Sequence, residues 1–404
     1  MRTPLSDPDL RALRRDLHQH PELSHHEERT AALVDRTLTA LGLHTRTGIA
    51  GHGITALVEG SHPGPTLLYR ADMDALPIQE AEDRPHRSLH PGVMHACGHD
   101  VHTTIGLGVA SSLAHRRDDL HGRILLVFQP AEEAAPPPGQ VIGAERMVDE
   151  GVLDHNPVDA AFALHVMPSL PVGAIAGTGG PVWAASDLFD IRIHGRMAHG
   201  AYPHESRDPI LAAAHLVTAL QQVAARNTDP RHPTVLSVCS FHGGDSHNTI
   251  PEHVQLRGLL RTLDPDARDI ALERLHTIVE HTAAAHDCSA TLHLVRGAHL
   301  TANHPALEAA VLERIGQAGL ATPTLHPPQL GAEDFAAFSR RVPGCYLFLG
   351  VRNEERGIVH PIHTPRFDVD EDCLSIGRDA MVDALLHVGR HWNDIAPALE
   401  LAPR

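Results

Sequence analysis

Apolar and polar positions along this 404-residue chain change period several times. Over residues 7–42 the leucines at 10, 13 and 17 recur at helical spacing, with Asp7 as candidate N-cap and Pro8 in the first turn. Pro21 breaks that pattern, and "EERTAALVDRTLTALG" predicts a second helix ending at a glycine. "GITALVEG" and "TLLYRADMD" read as strands, "TTIGLGVASSLAHRR" as a helix, and "GRILLVFQPAEE" and "DAAFALHV" as further apolar strands. Strands alternating with helices predict an α/β fold, a mixed and largely parallel sheet flanked by helices. In such sheets functional groups gather beyond the carboxyl ends of the strands. "RADMD", "QPAEE" and "LHV" each place polar residues at such an end.

Near residue 180 the pattern changes. "DLFDIRIHG" alternates as a half-buried strand, followed by a helix, two strands, a helix and the strand "SATLHLVRG". That order predicts a ferredoxin-like α+β domain inserted into the first. The expected divisions are 1–181 and 298–404 for a catalytic domain in two parts and 182–297 for an inserted lid or dimerisation domain. The chain closes with an expected helix at 373–391, and "AAPPPG" at 134–139 is an expected loop.

Composition narrows the function classes. A formal charge of -17 argues against nucleic acid as partner, because phosphate binding needs a basic surface. All 33 basic residues are Arg; the absence of lysine excludes a Walker-type phosphate loop and Schiff-base chemistry. Five scattered cysteines fit a reducing compartment rather than a disulfide framework. The polar N-terminal stretch does not resemble a signal peptide, and no apolar run is long enough to span a membrane, so a cytoplasmic protein is expected.

"HACGHDVH" at 95–102 carries the first candidate chemistry. Cys97 and His99, two apart, can offer a thiolate and an imidazole to one divalent ion, with His95, Asp100 and His102 around them. Among 35 histidines, the plain alternative is a core thiol beside surface histidines. Glu132 and Glu133 follow a buried strand; adjacent side chains at a strand end diverge, so one can bind metal while the other faces substrate, and the plain alternative is a solvated turn. His165 taken alone reads as a satisfied core histidine, and for His360 and His363, in the polar turn "HPIHTPRFDVDED", the plain alternative is surface. Together the ends of four strands offer Cys, His and Glu, a set suited to one or two divalent ions with carboxylates left for acid–base work. Cys97 as a nucleophile, or a non-catalytic metal-binding protein, are the alternatives of other classes. No G-x-S-x-G elbow supports a serine hydrolase.

"RADMDALPIQE", "HACGHDVHTT", "FQPAEE", "LHV", "GRMAHGAYPHESRDP", "GGDSHNTIPE", "LLRTLD", "GAEDFAAF" and "HTPRFDVDE" occur in that order. In this the chain resembles the metal-dependent amidohydrolases that include hippurate hydrolase, indoleacetyl-amino-acid hydrolase and N-acyl-amino-acid deacylases, of the aminoacylase and carboxypeptidase group. The resemblance covers residues 10 to 390. It implies two divalent metal ions per subunit (manganese or zinc, with cobalt or nickel permitted), held by Cys97, His99, Glu133, His165 and His363. It implies Glu132 as general base, Asp74 as an orienter of the metal site, and His199 as a histidine that reaches the active site of a partner subunit. Asn248 and Arg261 match positions that hold the substrate carboxylate, a role that suits a bidentate guanidinium. The implied reaction is hydrolysis of the amide bond of an N-acyl L-amino acid (acetyl, benzoyl or arylacetyl) by a metal-activated water. The implied assembly is a homodimer or homotetramer. A biosynthetic N-acetyl amino-acid intermediate or a dipeptide is the alternative substrate. The chain differs from the family pattern at Met197-Ala198, where two glycines are common, and in the proline-rich stretch after Glu133.

Overall fold

Ser6, rather than Asp7, caps the first helix, α1 (Asp7–Gln19). In this computed structural model, which describes residues 3–81, 84–134 and 141–399, the Asp9 N–H donates to the Ser6 hydroxyl and the Ser6 N–H donates to the Asp9 carboxylate. That reciprocal pair satisfies two donors at once, which Asp7 could not do from one position later. Leu10 and Leu17 are fully buried. The helix stops before Pro21, and α2 (Glu28–Ala40) buries Val34 and Leu38.

β1 (Thr45–Ile49), β2 (Gly53–Glu59), β3 (His62–Asp72), β4 (His121–Gln129), β5 (Ala160–Pro171), β6 (Ile175–Ala176) and the strand Gly344–Arg352 form one sheet. Its order is β1-β2-β4-β3-β5, then Gly344–Arg352, then β6. β3 pairs parallel with β4 and β5, and β5 pairs parallel with Gly344–Arg352. The remaining pairings are antiparallel. The parallel strands read as apolar runs because both faces are covered: Ile124 to Phe128 are all buried, as are Leu67 to Tyr69 and Cys345 to Leu349. Helix α3 (His99–His115) and the helices Pro305–Gln317 and Cys373–Arg390 share that core. This is the mixed α/β sheet that the alternation predicts.

Three local expectations differ. Thr45–Ile49 is a strand that the apolar pattern does not predict, because its mostly exposed residues carry no apolar alternation. Helix α3 starts at His99, not Thr103, so the histidine-rich motif itself makes the first turn. β5 runs on past His165 to Pro171, because Gly344–Arg352 continues to pair with it as far as Arg352 and Pro171. His165 is therefore a mid-strand residue. The 134–139 stretch lies, apart from Ala134, outside the described residues.

The first compact unit runs to Val182, resumes over Ala302–Pro327 and continues from Asp334. The second comprises Trp183–Thr301 and Pro328–Glu333. In the second, the strands Thr234–His242, His253–Thr262, Ala185–His194 and Ser289–Arg296 lie in that order in an antiparallel sheet. Two helices, Pro209–Gln222 and Pro265–Ala285, complete a strand-helix-strand-strand-helix-strand order. Each helix opens on an aspartate cap followed by proline: Asp208 accepts from Ile210 and Leu211 N–H groups, Asp264 from that of Ala267. Among the described residues no helix is long and apolar enough to cross a membrane.

Candidate metal centre

Gly98 sets the geometry of the motif. Its φ is +86°, and a Cβ there would lie 2.5 Å from Val166 Cγ2. Only glycine both adopts that backbone and lets the Cys97–His99 segment lie against β5. Cys97 Sγ stands 3.5 Å from His165 Nε2 and 3.3 Å from His363 Nε2. Glu133 Oε1 is 3.1 Å from His363 Nε2 and 3.9 Å from His99 Nε2. His363 adopts φ +60° and donates its N–H to the Ala96 carbonyl at 2.8 Å. The donor atoms of Cys97, His99 and His165 lie within 4.8 Å of one another, as do those of Cys97, Glu133 and His363, and those of His99, Glu132 and Glu133. All five expected ligands thus meet, with Glu132 beside them.

The rings are turned by their outer nitrogens. His165 Nδ1 donates to the Val166 carbonyl at 2.7 Å, leaving the Nε2 lone pair toward Cys97. His99 Nδ1 lies 3.3 Å from Asp74 Oδ1, and its Nε2 is buried with no hydrogen bond. Asp74 also accepts the Glu132 N–H at 3.2 Å, the Glu133 N–H at 3.0 Å and the Ser24 hydroxyl at 2.6 Å. One carboxylate thus ties the His99 ring to the glutamate turn. His102, in the same motif, is used up: Nδ1 is 2.6 Å from Asp72 Oδ1, and Nε2 accepts the Val166 N–H at 2.9 Å. No lone pair remains on it for a metal.

The field at the site favours a cation. Burial disfavours a charged His99, but Asp72, Asp74 and Glu133 outweigh it and raise its pKa to about 10. Burial, and then the charges of Glu133, Glu132 and Asp72, push the Cys97 thiol well up. Such a thiol is a poor nucleophile by itself, and a bound cation is what makes its thiolate accessible. Burial and neighbouring His102 hold His165 well below the usual histidine range, so it is the neutral imidazole that metals bind. An unpartnered buried imidazole nitrogen, a thiol, further imidazoles and carboxylates fit divalent ions.

Two buried networks that no motif in the sequence announces support this arrangement. Arg70, inside an apolar strand, donates to Gln129 Oε1 at 2.8 Å, Asp72 Oδ2 at 2.6 Å and Asp334 Oδ1 at 3.0 Å. Asp334 also accepts from Gln129 Nε2 and from the Ala144 N–H. On α1, Arg14 and His18 both bond Asp100 Oδ2, at 2.9 and 2.8 Å. The available signal was a charge in the middle of an apolar run, as in "TLLYRAD".

His199, Asn248 and Arg261 belong to the second unit. His199 lies in a two-residue strand, Ala198–His199, paired with Thr249–Ile250. The Gly200 N–H donates to the Asn248 carbonyl at 2.7 Å, which makes His199 and Asn248 neighbours. Asn248 Oδ1 accepts the Ser246 hydroxyl at 2.8 Å. Arg261, half-buried on the His253–Thr262 strand, donates to the Ser186 hydroxyl.

An α/β frame carrying this donor set has the make-up of a metal-binding protein. Residues 68–387 match the family described as peptidase family M20/M25/M40. The thermostable carboxypeptidase 2 of Saccharolobus solfataricus is 38% identical over 378 residues, covering 93% of this chain and 94% of that protein. The N-acetyl-L-cysteine deacetylase of Bacillus subtilis is 37% identical over 366 residues, covering 90% of this chain and 84% of that protein. The solved structure of a dinuclear metal-binding M20 peptidase from Bacillus subtilis superposes with a TM-score of 0.82 at 33% identity, covering 95% of this chain and 98% of that one. The chain belongs to this family and is a metal-dependent amidohydrolase.

Proposed function

We propose that the protein hydrolyses the amide bond of N-acyl L-amino acids, releasing a carboxylic acid and a free amino acid. The observation that carries the reading is a second carboxylate, Glu132, whose donor atom lies within 4.8 Å of those of His99 and Glu133, beside a centre that Cys97, His99, Glu133, His165 and His363 can ligate. A protein that only stores metal needs ligands and no further acid beside them. Two divalent ions held by those five residues would supply a water of lowered pKa and polarise the amide carbonyl. Glu132 takes the proton of the attacking water and returns it to the leaving amine nitrogen. Asp74 keeps His99 turned inward and holds the Glu132–Glu133 backbone. Asn248 and Arg261 take the substrate carboxylate, and His199 donates to the developing oxyanion at a partner subunit's centre.

A homodimer or homotetramer follows from that last assignment. Met197, Tyr202, Ile210, Leu211 and Phe241 are exposed apolar residues of the second unit that a second copy would cover. The deacetylase relative supports an N-acyl amino acid, and the carboxypeptidase relative supports a dipeptide as the second reading. We place the enzyme in the cytoplasm on its unpaired cysteines.

The test is to chelate the protein, re-supply manganese, zinc, cobalt or nickel, and follow free amine from N-acetyl, N-benzoyl and indoleacetyl amino acids and dipeptides. Turnover lost with chelator and regained with metal on an N-acyl substrate is the expected result. Turnover on dipeptides alone selects the second reading, and turnover that survives chelation overturns both. Glu132→Gln is expected to cut kcat by about 10²- to 10⁴-fold with metal still bound. Mixing inactive His199→Ala with inactive Glu132→Gln protein is expected to restore part of the activity. No recovery after proven subunit exchange removes the trans assignment.

A further inference from the structure

Glu27 occupies the N-cap position of α2 yet makes no cap hydrogen bond there. Glu22 does that work, accepting the Arg29 and Thr30 N–H groups at 2.9 and 2.8 Å. Glu27 is instead fully buried, and its Oε1 accepts the Ala131 N–H at 2.8 Å. Ala131 immediately precedes Glu132 and adopts φ +54°, a left-handed conformation that strains an L side chain. The next two N–H groups, of Glu132 and Glu133, go to Asp74. Three successive backbone donors are therefore held by two carboxylates. Both anchors draw on the connection between α1 and α2: Leu23 bridges Ala75, and Ser24 bonds Asp74.

We propose that Glu27 is a positioning residue for Glu132, holding Ala131 in its strained conformation so that the base is presented at the metal centre. This rests on Glu132 being the base. Glu27 acts through the Ala131 N–H, so an acceptor oxygen at that place is what the turn needs. Burial, and then the charge of Asp74, push the Glu27 carboxyl up to about 7, and a neutral amide is a fair mimic of it.

The experiment compares Glu27→Leu, Glu27→Gln and the double variant Glu27→Leu/Ala131→Gly with wild type and Glu132→Gln. It measures kcat, KM and bound metal on the reconstituted enzyme. Glu27→Leu is expected to lower kcat about 10- to 100-fold with KM and metal content kept. Glu27→Gln recovers most of that loss, because its carbonyl oxygen still accepts the Ala131 N–H. The double variant recovers part, because glycine holds the left-handed conformation unaided. Should Glu27→Leu fail to fold, Glu27→Asp, one methylene too short for the bond, is expected to give the same kcat loss. Full kcat in Glu27→Leu beside an inactive Glu132→Gln overturns the positioning role and leaves the base in place. Loss of metal or a raised KM in Glu27→Leu, or no recovery in Glu27→Gln, also overturns it. Full kcat in Glu132→Gln removes the base itself, whatever Glu27 does.

Discussion

His99 turns a buried Nε2 without a hydrogen bond inward because its other nitrogen faces Asp74. Asp74→Ala removes that partner and two anchors of the glutamate turn together. It is expected to weaken metal binding about 10- to 100-fold, read by competition with a fluorescent chelator; unchanged affinity would refute the orienting role. His95 makes the opposite point, since both its ring nitrogens lack a hydrogen bond to the protein. Burial, with His18 and His99 nearby and against the pull of Asp100 and Asp74, lowers its pKa to about 4. An unfolded histidine titrates near 6.5, at roughly the model-peptide value. The folded value lies below the unfolded one, so the neutral ring's stability is complete above that pH and is lost as pH falls from there toward 4. Metal-free protein should melt at progressively lower temperature across that window, and His95→Leu should flatten the fall. At this scale the donor types that the structure gathers were legible in "HACGHDVH" and "PAEE", because these are the side chains metals take up. Nothing in the motif separates His99 from His102, since the Val166 N–H that occupies His102 comes from β5, far along the chain.

Apolar runs predicted the strands that form the middle of the sheet, because a strand covered on both faces has little choice of residue. The same logic missed Thr45–Ile49, which pairs with β2 alone and so is freed from that constraint. It also ended β5 too soon, as partner length and not composition sets where a strand stops. Arg70 shows what an apolar element costs to charge. Its guanidinium joins β3 to Gln129 at the end of β4 and to Asp334. Arg70→Met takes the guanidinium away from Asp72, Gln129 and Asp334 together and is expected to destabilise the protein by about 3–5 kcal/mol, measured by denaturant unfolding of the metal-free form. A change below about 1 kcal/mol, the range of exposed pairs, would mean that the network is solvated.

For the whole molecule, the switch from helix–strand alternation to the strand-helix-strand-strand-helix-strand order made the second unit visible in the sequence. Its return at Pro328–Glu333 was not visible, because six residues without a periodic pattern carry no signal of which unit they join. The ions should act on the fold as a ligand does. With free metal at a hundred times its dissociation constant, the folded state gains roughly 2.7 kcal/mol per site. Calorimetry of the chelated and metal-loaded forms should show that rise in melting temperature, and equal melting temperatures would mean that the centre is not occupied.

Cys97, His99, Glu133 and His165 precede the second unit in the chain, and His363 follows it. A ribosome therefore makes four of the five donors, then the whole inserted unit, and only afterwards the fifth. On that ligand set, the centre can close only after the whole second unit has been made.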